Sequence, residues 1–159
     1  DDNQIFVPAF QREYVWKKDD AKEVIDSLIK NYPFGTMLTW DTNTPPKLKG
    51  KHEYDPRQGA VKIILDGQQR ITTLYILIRG NIPPYYKEDE IANEIRGLYV
   101  NILDLELSYY KRTIMEKSPV WINITKIFKR EIDFLDIIEG YRKQNQGDVE
   151  NFQRKITLV

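Results

Sequence analysis

The sequence predicts an α+β fold. Three observations point there. Short apolar runs rich in β-branched residues, such as Val61-Lys62-Ile63-Ile64-Leu65, have strand length. Other stretches repeat apolar residues with helical spacing, as Ala21, Val24, Ile25, Leu28 and Ile29 do. Strands fall in short blocks and helices group late, which suits segregated rather than alternating elements. At 159 residues the chain favours one domain, or one domain plus a fragment of the next. Such a chain can bury a core without staples.

The elements follow in order. Ile5-Phe6-Val7-Pro8 reads as an edge strand, because proline removes a ladder donor. Phe10 to Trp16 is polar and aromatic without a clear period. The helix on Ala21 to Ile29 has Asp20 as its cap and Glu23 three residues on, in capping-box position. Tyr32-Pro33-Phe34-Gly35 ends it. Thr36 to Trp40 reads as a strand, and Asp41 to Ala60 as a long polar connection. Val61 to Leu65 is a buried strand broken by Asp66-Gly67. A helix then runs from Gln68 to Arg79 with Ile71, Leu74, Tyr75 and Ile78 as its apolar face, stopped by Gly80. Asn81 to Tyr86 is a proline-rich loop, and Glu88 to Arg96 a short helix. Leu98 to Leu105 and Val120 to Thr125 read as strands. Ile132 to Lys143 is helical through Phe134, Leu135, Ile138 and Tyr141. Asn145-Gln146-Gly147 is a turn, and Asp148 caps a last helix carrying Val149, Phe152 and Ile156.

Composition excludes several chemistries. The absence of cysteine rules out disulfides, Cys-ligated zinc and a thiol nucleophile. A single histidine, His52 in a polar loop, rules out a multi-His metal site. The net charge is zero, so any anion site must be local. No apolar run approaches the ~18–20 residues that span a bilayer, and no leader pattern opens the chain. A cytoplasmic protein with no membrane partner is expected. The chain begins at Asp1 and is read as a piece of a longer protein.

The informative stretch is Ile63-Ile64-Leu65-Asp66-Gly67-Gln68-Gln69-Arg70-Ile71-Thr72-Thr73-Leu74: strand, sharp turn, helix. A helix start has unpaired amides and a positive dipole end, a ready place for an anion. Gly67 lets a ligand approach the backbone. Arg70 offers a fork of donors to phosphate, Gln68 and Gln69 add neutral donors, and Thr72 and Thr73 lie within a turn. Asp66 beside that anion could hold a divalent cation or orient a water. It could also simply cap the helix.

The block from Asp66 to Leu74 resembles the DGQQR-[LI]-TTL block of GmrSD-type restriction endonuclease N-terminal domains. Val7-Pro8-Ala9-Phe10-Gln11-Arg12-Glu13-Tyr14-Val15-Trp16 resembles the IP-x-FQR-x-YVW block of that family, at matching spacing. The first half of the chain carries the resemblance well, and the second half only loosely. It implies a ParB/sulfiredoxin-like small mixed sheet with flanking helices over 1–130, binding nucleotide. It also implies a helical extension over 131–159 that begins a following helical region. It implies nucleoside-triphosphate binding and hydrolysis with Mg²⁺, in the service of DNA restriction against phage. Partners would be DNA, including modified phage DNA, and a C-terminal nuclease domain or partner subunit. Gln11 and Arg12 would join Gly67, Gln68, Gln69, Arg70, Thr72 and Thr73 around phosphate, with Asp66 and Arg70 catalytic and Asp66 on the metal. Tyr14 is a candidate to stack a base, while Trp16 is expected to pack under the first helix.

Sulfiredoxin chemistry needs a cysteine at this turn and is excluded. No G-x-x-x-x-G-K-[ST] is present, so an NTPase here is not of the P-loop kind. A basic and aromatic run from Glu106 to Arg130 reads first as a solvated face and second as a DNA surface. Two rivals stand beside the NTPase: a nucleotide or DNA sensor without turnover, and a ParB-like nuclease. The second is short of acids unless Glu13 or a distant carboxylate joins Asp66.

Overall fold

The computed structural model describes residues 5–50, 53–91 and 93–144. The expected turn at Asn145 and the helix after Asp148 lie outside them, as does His52. Helices and strands mix as an α+β fold built on two three-stranded sheets. The first sheet joins β1 (Ile5–Phe6), β3 (Val61–Asp66) and β2 (Leu38–Thr42), with β3 in the centre. β1 runs parallel to β3 and lies at an edge, and β2 runs antiparallel on the other side. The second sheet has β4 (Leu98–Asn101) between β5 (Leu107–Tyr109) and β6 (Trp121–Asn123), all antiparallel.

The first long helix, α1, is Lys18–Ile29. Its cap is Lys17, whose amide donates to Asp20 Oδ2 at 2.8 Å. Asp20 is thus the third helical residue, reaching back to the cap's amide, not the cap itself. The helix after β3, α2, is Gln68–Arg79, and Gly80 ends it with φ 71. Its buried face differs from the expected one. Gln68, Gln69, Thr72, Thr73, Ile76 and Leu77 are buried, whereas Tyr75 is 37% exposed. The segment expected as a helix over Glu88 to Arg96 is two 3₁₀ turns, Glu88–Glu90 and Asn93–Gly97. Short helices α3 (Arg112–Met115) and α4 (Ile124–Lys129) flank β6. Asn123 caps α4, where a strand was expected to continue to Thr125.

One core joins Ala21 and Ile25 of α1, Ile76 and Leu77 of α2, Ile95, and Leu98, Val100 and Leu107 of the second sheet. The helix α5 (Phe134–Gln144) sets Ile137, Ile138 and Tyr141 against Ile102, Val120 and Ile122. Phe134 and Leu135, expected to be part of that face, are 42% and 70% exposed. Leu48, Val61 and Ile63 pack with Phe6 and Tyr54 in a third cluster. No helix among the described residues is long and apolar enough to cross a membrane.

Candidate functional site

Where β3 meets α2 the backbone turns at Gly67 with φ 92, a conformation that favours glycine. An added Cβ would lie 2.9 Å from Met37 Cγ and 3.3 Å from Arg70 Nη2, so the turn leaves no room for one. No side chain caps α2. The first helical bond runs from Ile71 N to Gly67 O at 3.0 Å. The preceding amides have no intrahelical acceptor. Asp66 does not cap them: its Oδ2 accepts from Arg70 Nη2 at 3.0 Å. The same Nη2 donates to the Thr36 carbonyl. The guanidinium lies against Gly35, φ 96, where a Cβ would fall 2.6 Å from Nη1.

The segment before α1 closes over this turn. Gln11 Nε2 donates to the carbonyl of Leu65 at 2.8 Å and reaches that of Ile64 at 3.4 Å. The register between β2 and β3 shifts here and skips Leu65. The result is a cavity of about 160 Å³, walled by Gln11, Arg12 and Trp16 on one side and by Asp66 through Arg70 on the other. Seven of the expected site residues therefore meet around one space.

The structure gives several of them other work. Gln69 is 7% exposed. Its Oε1 accepts from Val15 N at 2.9 Å and its Nε2 donates to the Glu13 carbonyl at 3.0 Å. Gln68 is 3% exposed and donates to the hydroxyl of Tyr86. Both amides are thus held by protein groups, a packing role that the sequence did not suggest. Gln68 Oε1 and Arg70 Nε are buried without a hydrogen-bond partner. Thr72 and Thr73 face the core. Thr73 donates to the Gln69 carbonyl at 2.9 Å, and Thr72 lies 3.4 Å from the Tyr85 hydroxyl. Neither threonine lines the cavity. Tyr14 is buried, edge-on to Tyr86, with its hydroxyl 2.7 Å from Thr73 Oγ1. Tyr14, the candidate for base stacking, does not line the cavity, whereas Trp16 packs on the core and does line it.

Lys49 was not anticipated. Its Nζ donates to the carbonyls of Gln11 and Arg12, each at 3.3 Å, and pairs with Glu13 Oε1 at 3.0 Å. It also sits 4.7 Å from the centre of the Tyr86 ring. Its partners stand 36 to 38 residues away in sequence, and a lysine in a polar loop carries no pattern. Burial pushes the Tyr86 hydroxyl far above its ordinary range, so it stays a protonated partner for Gln68.

Among the described residues no group of three or more His, Asp or Glu converges as a metal site. Glu13 is turned to Lys49 and does not line the cavity. Asp66 is the lone carboxylate there among the described residues. A lone carboxylate fits Mg²⁺ only where phosphate oxygens supply the other ligands.

By class this is an α+β domain with a small polar cavity at a strand-to-helix turn and no Walker-type loop. A profile of the family described as GmrSD restriction endonuclease, N-terminal domain, matches residues 1–157, nearly the whole chain. The chain belongs to that family, one of restriction proteins. It is also similar to the uncharacterized protein MJ0686 of Methanocaldococcus jannaschii, 36% identical over 121 residues. That match takes in 61% of this chain and 21% of the relative, so the chain spans about a fifth of the curated protein it matches. No solved structure matches.

Proposed function

We propose that this domain binds and hydrolyses nucleoside triphosphates at the Asp66–Arg70 turn, as the nucleotide-responsive part of a cytoplasmic DNA-restriction protein. The observation that carries the reading is the cavity itself: uncapped α2 amides, Gly67 and Arg70 face Gln11 and Arg12 across about 160 Å³. Phosphate oxygens need several convergent donors, and this turn supplies them from backbone and guanidinium together. Arg70 is held by Asp66 and Thr36, with its Nε unpaired. An arriving phosphate would take over the guanidinium and leave the Asp66 carboxylate open to the cavity. Mg²⁺ carried by the nucleotide would find Asp66 as its protein ligand and supply charge neutralisation. Arg12 and the helix amides would hold charge on the transferred group. The ParB likeness, the DNA partner and a nuclease on a neighbouring domain belong to this same reading, and the family membership supports them.

The test is phosphate release from each nucleoside triphosphate, with and without DNA and Mg²⁺, alongside calorimetric binding. Arg70→Ala should weaken binding about ten-fold or more, a charge-assisted contact being worth roughly 1.5–3 kcal/mol. Arg70→Lys should recover only part, because a point charge does not reproduce the fork. Asp66→Asn should still bind nucleotide and lose turnover, since a neutral amide is a poor Mg²⁺ ligand. Binding without turnover in the wild type, DNA included, would make the domain a sensor rather than an enzyme. Undiminished binding by folded Arg70→Ala would remove the turn from the site.

A further inference from the structure

A second cavity of about 310 Å³ adjoins the first, and Trp16 and Arg70 belong to the walls of both. Its other side is a stripe of α1. Asp20, Glu23 and Ser27 stand at i, i+3 and i+7, on one helix face. Phe34 closes it opposite. The two cavities have opposite chemistry. The first is rich in donors, and the second offers carboxylate oxygens as acceptors. A nucleotide has the same polarity: its phosphates accept, and its ribose hydroxyls and base N–H groups donate. The carboxylates also repel phosphate, which fixes the direction in which such a ligand would lie.

We propose that the second cavity holds the ribose and base, and that Glu23 accepts a hydrogen bond from the ribose hydroxyls, so that the protein selects ribonucleotides over 2′-deoxyribonucleotides. This rests on the phosphate reading of the first cavity. Glu23 is the carboxylate of choice because Asp20 already accepts from Lys17 N at 2.8 Å at the start of α1. Glu23 is in the body of α1 and makes no ion pair among the described residues. Trp16 and Phe34 provide apolar and aromatic surface for the sugar and base beside it. The volume is at the lower end of the roughly 300–1,000 Å³ common for ligand pockets, and the phosphates need none of it.

The test is calorimetry on the full chain with three kinds of probe: inorganic tripolyphosphate, the four ribonucleoside triphosphates, and their 2′-deoxy forms. The wild type should bind its best ribonucleotide about ten-fold or more tighter than the deoxy form, the effect of one charge-assisted hydrogen bond. Glu23→Ala should bring that ratio to within about two-fold without weakening tripolyphosphate binding; Glu23→Gln should keep part of the preference. Alanine is a good helix former, so the exposed α1 site should stay folded, which a melting curve checks. Equal wild-type binding of the two sugars, or a preference that survives in Glu23→Ala, would overturn the ribose assignment while tripolyphosphate binding left the first cavity standing. Failure of tripolyphosphate to bind would overturn both.

Discussion

Gln69 shows how a polar residue can hold a site without touching a ligand. Its amide reads one backbone donor and one backbone acceptor two residues apart, Val15 N and Glu13 O. The segment from Gln11 to Trp16 has no helix or strand to satisfy these groups, so the side chain does it. Gln69→Ala should cost about 1–3 kcal/mol, read as a lower urea midpoint at unchanged slope. Gln69→Glu keeps the acceptor for Val15 and loses the donor to Glu13, while burying a charge, and should be no less damaging. Nucleotide affinity should fall in both, because Arg12 and Trp16 ride on the segment that Gln69 holds. The cluster Gln68-Gln69-Arg70 was legible as unusual. Its division of labour was not, because the partners of the two glutamines are Tyr86, Glu13 and Val15, remote in sequence.

At the scale of elements, the turn into α2 depends on Gly67 twice, through φ 92 and through the closeness of Met37. Gly67→Ala should cost about 1–2 kcal/mol for the left-handed backbone, with the steric part added. Met37 is 51% exposed, so Met37→Ala should relieve the contact in the double variant and leave the backbone cost. Thermal melts of the two singles and the double separate the contributions. The limits of α2 were readable, since Val61–Leu65, Asp66-Gly67 and Gly80 punctuate the chain plainly. Its inward face was not. Hydropathy pointed to Ile71, Leu74, Tyr75 and Ile78, yet Thr72 and Thr73 are fully buried. Hydroxyls bonded to Tyr14, Tyr85 and a helix carbonyl count as interior groups once paired. A hydropathy scale has no means of knowing that they are. The same blindness works in reverse for α5. Its apolar Leu135 looks like core and is 70% exposed, because the covering of Ile102 and Ile122 falls to Ile137, Ile138 and Tyr141.

Over the whole molecule, one core gathers four tyrosines, Tyr14, Tyr85, Tyr86 and Tyr109, between the helices and the second sheet. Burial is the first cause that raises each hydroxyl above its ordinary 10.0. The folded protein therefore keeps these protons at a pH where the unfolded chain gives them up. The stability they contribute is present in full below about pH 10 and is lost as pH rises from there toward the folded values. Denaturant midpoints measured from pH 8 upward should stay level and then fall steeply above about pH 10. Tyr109→Phe should make that fall shallower, at the cost of one hydrogen bond to the Lys18 carbonyl. That the elements would share such a core was not readable from periodicity, which sees each element alone.

The clasp between Gln69 and Val15 has a kinetic consequence. Val15 is 55% exposed and lies in a stretch without regular structure, so its amide would ordinarily exchange with solvent as fast as a loop. Its acceptor, however, is a buried side chain on a core helix, and that helix opens only when the core does. In hydrogen–deuterium exchange the Val15 amide should therefore keep the slow company of α2. Gln69→Ala should return it to loop rates. A fast Val15 amide in the wild type would mean that the wall of the cavity moves independently of the domain beneath it.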